Sequence, residues 1–413
     1  MPDVAVIGSG LAGLACACQL SALGYSCQVL EASDGVGGRA RSDVVDGFVL
    51  DRGFQVMLTA YPEAQRQLNY GALQLLPFAP GALVRFEGRF RSVVDPWRRP
   101  AAVLSGLVSP IGSLRDKLKI ANLRRRVTKP SLEELFQSDE VPTIDFLREY
   151  GFSPKMIERF FRPFFSGIFL ERELQTSSHI FEFVFRMFSL GNAVLPAAGM
   201  GAIAQQLASR LPEGCVRLHQ KAVKIAANSV ILASGEEVSA KTIVVATDNA
   251  SAAQLLPEII RLPSRSTTCF YFAAEKAPIP EPILVLNGEG RGPVNNLCVP
   301  SMVAPSYAPA GTHLVSVSAI GKPSHTPERL RSEVLSQLSD WFGKQVDGWR
   351  PLRSYWIPDA LPEQTPASGG IGPRDSLVRP GLYICGDHRD TASINGALLS
   401  GRRTAEAIQQ SLQ

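Results

Sequence analysis

Between Val4 and Leu30 the chain carries no formally charged side chain, and nothing else in its 413 residues restricts the fold so sharply. A signal peptide, a membrane helix and a buried βαβ unit can all be this silent. A signal peptide needs a basic start, yet the chain opens Met1-Pro2-Asp3 with no Lys or Arg before Arg39. A membrane helix needs about 20 predominantly apolar residues, and Gly8, Ser9, Gly10, Gly13, Gln19, Ser21 and Gly24 break the run. What remains is a β-rich run from Val4 to Ile7, a glycine cluster, a helical repeat of Leu14, Ala17 and Leu20, and a second strand ending in Glu31. A unit buried on both faces would be uncharged for that reason. Since it begins at residue 3 or 4, no targeting peptide is expected ahead of it.

Gly8, Gly10 and Gly13 match G-x-G-x-x-G, and Glu31 follows the last glycine by 18 residues. In a dinucleotide site Gly8 makes the sharp exit from the strand, Gly10 lets the backbone approach a pyrophosphate, and Gly13 lets helix and strand pack closely. The helix start at Leu11 and Ala12 would offer free N–H groups to phosphate, and Glu31, with Ala32 beside it, would accept from a ribose. The triplet alone does not separate NAD from FAD. A second glycine loop, Gly35-Val36-Gly37-Gly38-Arg39, and then Asp51-Arg52-Gly53, supply extra anchoring that suits the larger diphosphate ligand.

Near the C-terminus, Leu382-Tyr383-Ile384-Cys385-Gly386-Asp387 runs into Ser393-Ile394-Asn395-Gly396-Ala397 and a helix holding Leu398, Gly401, Ala405 and Ile408. With the G-G-R loop, this resembles the flavin-containing amine oxidase and phytoene desaturase superfamily. The resemblance extends through Pro196–Gly201, Val223 and the β-branched run Thr242–Thr247. It implies an α/β fold: an FAD-binding Rossmann-like (GR2-type) domain with an inserted α+β substrate domain. The FAD domain would comprise 1–75, 195–265 and 352–413, and the substrate domain 76–194 and 266–351. The cofactor implied is non-covalent FAD. Arg39 would lie near the diphosphate, Val223 would make a backbone contact to the adenine, and Asp387 would bond ribityl or phosphate oxygens. Gly386, Ser393, Ile394 and Asn395 would form the turn beneath the flavin.

Net charge is +4 and rests on 32 Arg and 10 Lys, which argues against a uniform nucleic-acid-binding field. From Arg85 to Lys129 there are twelve basic residues against three acids, with the apolar run 101–112 among them. Residues 98–126 are read as a surface that could dock on anionic lipid, the alternative being solvated helix faces over a buried turn. Two Phe-rich runs, 160–170 and 181–188, hold nine of the twenty Phe and could be a substrate cavity or plain core. His179 is read as structural. Seven Cys without C-x-x-C and scattered His indicate no metal and a reducing, cytoplasmic setting, peripheral on the membrane face if the basic stretch binds lipid.

Within the superfamily, the amine-oxidising branch places a Lys where Thr268 aligns and frames the flavin with two tyrosines, one of which falls at Ser393. The closing motif is more similar to the carotenoid desaturase branch, although Asn395 replaces that branch's usual acid. An FAD-dependent desaturase or dehydrogenase acting on an apolar, isoprenoid or cyclic small molecule is therefore expected, with oxygen or a quinone as electron acceptor. An amine or amino-acid oxidase, a redox-neutral isomerase and a non-catalytic flavoprotein remain alternatives. No catalytic base is assigned; Tyr355, Trp356 and Asn395 are the candidates near the ring.

Overall fold

The computed structural model describes residues 1–94, 98, 111–323, 325–368, 372 and 374–412. The uncharged stretch forms the strand Val4–Ile7, the helix Leu11–Ala22 and the strand Cys27–Leu30. It sits in a six-stranded sheet ordered 216–217, 27–30, 4–7, 242–245, 382–384 and 377–379, whose first five strands are parallel. The last pair is antiparallel. All four residues of Val4–Ile7 are buried. The helix is buried nearly all round, well beyond the face that Leu14, Ala17 and Leu20 define, because the C-terminal helix Ile394–Leu412 packs on its outer side. A Cβ on Gly401 would lie 2.2 Å from the Ala12 carbonyl oxygen, so that approach requires glycine.

A seven-stranded sheet is ordered 350–362, 264–274, 313–320, 296–298, 284–287, 81–86 and 89–94. One face is closed by the helix Pro327–Phe342, whose Leu330, Val334, Leu338 and Trp341 join Phe270, Phe272, Val315 and Val317 in a separate core. Arg350–Pro362 pairs along Ser264–Ala274, so the domain boundary expected at 352 falls inside a strand of this sheet. Pairing partners, not local composition, decide where such a strand belongs.

The Phe-rich runs fold as Ile157–Phe161, a π-helical turn, continuing into Arg162–Phe169, and as Ser178–Leu190. The runs divide between core and the wall of a cavity. Phe161, Phe181 and Phe183 are core, whereas Phe160, Phe164, Phe185 and Phe188 are partly buried and line a cavity. His179 is buried, with Nε2 2.9 Å from the Ser138 carbonyl, a structural contact. The basic helix Leu114–Thr128 is capped reciprocally by Ser113 and Asp116. Of the basic stretch 98–126, residues 99–110, Arg99 among them, lie outside the described residues. Among the described residues no helix is long and apolar enough to cross a membrane. The seven cysteines are unpaired, and no cluster of metal-ligating side chains exists among the described residues.

Candidate active site

A cavity of about 1200 Å³ opens at the carboxyl ends of the parallel strands and extends to the face of the seven-stranded sheet. In open α/β sheets the carboxyl edge is where ligands sit, because the strand-to-helix turns there expose backbone groups. Gly8, Gly10, Leu11, Ala12, Glu31, Ala32, Gly37, Gly38, Arg39, Val223, Gly386, Asp387, Ser393 and Ile394 all line it. The motif residues are thus brought together from four separate parts of the chain.

The glycines differ in what surrounds them. Gly8 has φ +102, and a Cβ there would meet the Ala246 carbonyl oxygen at 2.9 Å. Gly13 does not line the cavity. A Cβ on it would fall 2.1 Å from Gly8 O, so this glycine serves helix–strand packing. Gly10 has nothing within 4 Å of a built Cβ. That space adjoins the start of the Leu11–Ala22 helix, which has no side-chain cap and no acid in its first turn. Uncapped N–H groups beside open space fit a pyrophosphate. Gly37 bonds back to the Ser9 carbonyl at 2.8 Å, seating the second glycine loop on the first.

Glu31 is more occupied than its motif implies. Oε2 accepts from the Ser9 backbone N–H at 2.8 Å and its hydroxyl at 2.7 Å, and Oε1 accepts from the Ser33 N–H at 2.9 Å and hydroxyl at 2.7 Å. Burial opposes its ionisation, but these four bonds hold the carboxyl below its ordinary range. Glu31 therefore ties two turns together at the cavity wall. Arg39 Nη2 donates to Asp387 Oδ1 at 2.7 Å and Nη1 to the Ala360 carbonyl at 3.0 Å. Burial would raise the Asp387 pKa, yet Arg39 keeps it low, so the site holds a paired carboxylate and guanidinium.

Four expectations need correction. Asn395 is buried and does not face the cavity; its Oδ1 accepts from the Glu63 backbone N–H at 2.9 Å, leaving Ser393, Ile394 and Ala397 at the surface of the helix start. Trp356 is exposed, and the Tyr355 hydroxyl donates to Asp43 at 2.7 Å. Both are held on an edge strand, and the neighbour that reaches the cavity is Ile357. Thr268 is buried away from the cavity, and Thr267 faces it, since adjacent strand residues point to opposite faces. Sequence reasoning passed over Ser9, Ser33, Asn296 and Ser318. Ser9 and Ser33 flank the motif positions, whereas Asn296 and Ser318 meet only through strand pairing.

A family model described as flavin containing amine oxidoreductase matches residues 11–409. The chain is similar to protoporphyrinogen oxidase 2, chloroplastic/mitochondrial, of Arabidopsis thaliana, with 43% identity over 66 residues. That match spans 16% of this chain and 13% of the length of that protein. Among solved structures, an oxidoreductase from Methanosarcina mazei superposes with a TM-score of 0.71 at 19% identity, covering 98% of this chain and 99% of the other. Cyclohexylamine oxidase from Brevibacterium oxydans IH-35A gives a TM-score of 0.72 at 16% identity, covering 100% and 99%. At such identities the structural likeness speaks for the fold.

Proposed function

Because the chain belongs to the flavin-containing amine oxidoreductase family and is an FAD-dependent oxidoreductase, we propose that it removes hydride from a largely apolar substrate, as a desaturase or dehydrogenase. One observation carries the reading. The cavity that begins at Gly10 and Glu31 continues to a wall of Phe160, Phe164, Phe185, Phe188, Ile120 and Ile168. Bound FAD supplies a two-electron acceptor for hydride. The protein's part is to hold a substrate C–H in position and keep water out, which by itself removes much of a barrier. Overall the substrate would give up a hydride to the cofactor and a proton to solvent, and oxygen or a quinone would finally take up two electrons and two protons. The 66-residue likeness to an enzyme named for oxidising protoporphyrinogen supports including that compound among the substrates tested.

Anaerobic mixing of holoenzyme with isoprenoid, alicyclic and protoporphyrinogen substrates should bleach the visible flavin band with at least one of them. Bleaching by amines alone, with peroxide formed on admitting air, would overturn the proposal.

Peripheral membrane contact belongs to the same reading. The helix Leu114–Thr128 has a buried face at Asp116, Leu123 and Val127, and a second face at Lys117, Ile120 and Arg124 that lines the cavity. Leu114 and Leu118 are 61% and 69% exposed on a third face, with Arg125 and Lys129 along it. An apolar substrate leaving a lipid surface at this helix would meet the cavity directly.

A further inference from the structure

Where the seven-stranded sheet forms the cavity floor, two neighbouring polar side chains lie among apolar ones. Asn296 and Ser318 are directly paired across neighbouring antiparallel strands and both line the cavity. Leu286 pairs with Asn296 on the next strand, and Leu284, Phe164 and Ile168 line the same cavity.

The hydrogen bonds fix which way the Asn296 amide points. Asn295 Nδ2 lies 3.3 Å from the Pro163 carbonyl oxygen, which can only accept, so this atom must be the nitrogen. The same Nδ2 lies 3.0 Å from Asn296, so the Asn296 atom it meets must be the acceptor Oδ1. Asn296 Nδ2 is thereby left over, and no described residue accepts from it. Ser318 Oγ likewise has no partner among the described residues, whereas Thr267, the next polar residue on this face, donates its hydroxyl proton to the Ala319 carbonyl at 3.1 Å. Gly167 eases the arrangement. A Cβ there would sit 3.0 Å from Asn295 Nδ2 and 3.1 Å from Asn296 Oδ1, a tight approach that would press on both amides where the Arg162–Phe169 helix crosses them.

We infer that Asn296 and Ser318 form a subsite that reads a carbonyl-type oxygen on the apolar substrate. An N–H and a hydroxyl presented side by side complement an acceptor, and a substrate that displaces water from them without replacing its bonds binds more weakly. Discrimination of this kind exceeds what an apolar wall achieves by shape. The inference rests on the apolar-substrate reading above and names the group that such a substrate carries.

The test uses FAD-loaded protein and two neutral probes of nearly equal shape, 2-acetylnaphthalene and 2-isopropenylnaphthalene. Perturbation of the flavin spectrum reports binding without turnover. Wild type should bind the ketone about tenfold more tightly than the alkene. Asn296→Asp keeps the acceptor for Asn295 but removes the donating N–H2, and should abolish or reverse the preference; Ser318→Ala should reduce it in part. Retention of the full preference by Asn296→Asp with normal flavin content would overturn the subsite. Equal binding of both probes to wild type would also overturn it while leaving the apolar cavity intact. If neither probe binds wild type, the apolar-substrate reading fails and the subsite with it.

Discussion

Arg39 and Asp387, 348 positions apart in the chain, meet in an ion pair of 2.7 Å in the wall of the cavity. The first belongs to the second glycine loop and the last follows the strand Leu382–Ile384, so the pair closes the N-terminal half of the site onto the C-terminal half. Asp387 is buried and Arg39 is about one-third exposed, so removing the guanidinium strands a carboxylate that has little water to turn to. Arg39→Ala and Asp387→Asn should each weaken FAD binding about 10- to 100-fold, the range of a charge-assisted hydrogen bond. The double variant should lose less than the product of the two. Titrating apoprotein with FAD and following flavin fluorescence measures this; fully multiplicative losses would show that the residues act independently.

Two glycines of the first loop separate binding from folding. Gly10 faces open space, while the Cβ position of Gly13 overlaps the Gly8 carbonyl oxygen. Gly10→Val should therefore leave a folded protein that retains no FAD, colourless but with a cooperative unfolding transition. Gly13→Val should instead destabilise the fold itself, by several kcal/mol, because backbone is what it would strike. Calorimetry together with flavin content distinguishes the two. An unfolded Gly10→Val protein would show that the space beside Gly10 is structural.

Two buried groups oppose each other in acid. Burial pushes the Asp51 carboxyl up to about 6, although Ser42, Met200 and Tyr307 all donate to it. Its contribution to stability is full below about pH 4 and is lost as pH rises through 6. Burial pulls His388 down to about 4, and neither ring nitrogen has a partner among the described residues. Its contribution is present above about pH 6.5 and is lost as pH falls through 4. Between about pH 4 and 6 the two slopes, each about 1.4 kcal/mol per pH unit, nearly cancel. Asp51→Asn should expose a stability that rises with pH, and His388→Gln one that falls. Urea unfolding of the FAD-saturated variants at pH 4.5, 5.5 and 7.5 reads both slopes; parallel profiles would refute the assignment.

Much of this site is legible in sequence because its parts are backbone devices. A Cβ on Gly8, Gly13 or Gly37 would meet a carbonyl oxygen, Gly10 borders open space and Gly38 has φ +57, and glycine spacing marks all five. Glu31 and Asp387 stand at strand ends, a position the alternation of apolar runs also marks. What sequence conveys poorly is the direction of a side chain. Asn395, Tyr355 and Trp356 lie in the right segments but turn to Glu63, Asp43 and solvent. Thr267 and Thr268 differ by one position and face opposite ways, a choice made by pairing with distant strands. Asn296 and Ser318 are separated by 22 residues and become neighbours only in the sheet.

The outer face of the Leu114–Thr128 helix carries the membrane expectation into a measurement. Leu114 and Leu118 lie one turn apart and expose apolar surface that contributes nothing to the core, and Arg125 and Lys129 continue the same face. Insertion of two leucines together with basic side chains at an anionic surface gives weak, salt-sensitive attachment. FAD-loaded protein should therefore co-sediment with vesicles containing phosphatidylserine and not with purely zwitterionic vesicles, and raising salt should release it. Leu114→Glu with Leu118→Glu should abolish co-sedimentation while leaving flavin content and melting temperature unchanged, since neither leucine is buried in the fold. Undiminished binding by this double variant would place any membrane contact elsewhere on the molecule. If binding is lost and turnover of a water-dispersed substrate persists, the helix serves delivery of substrate from the lipid surface and not the chemistry at the flavin.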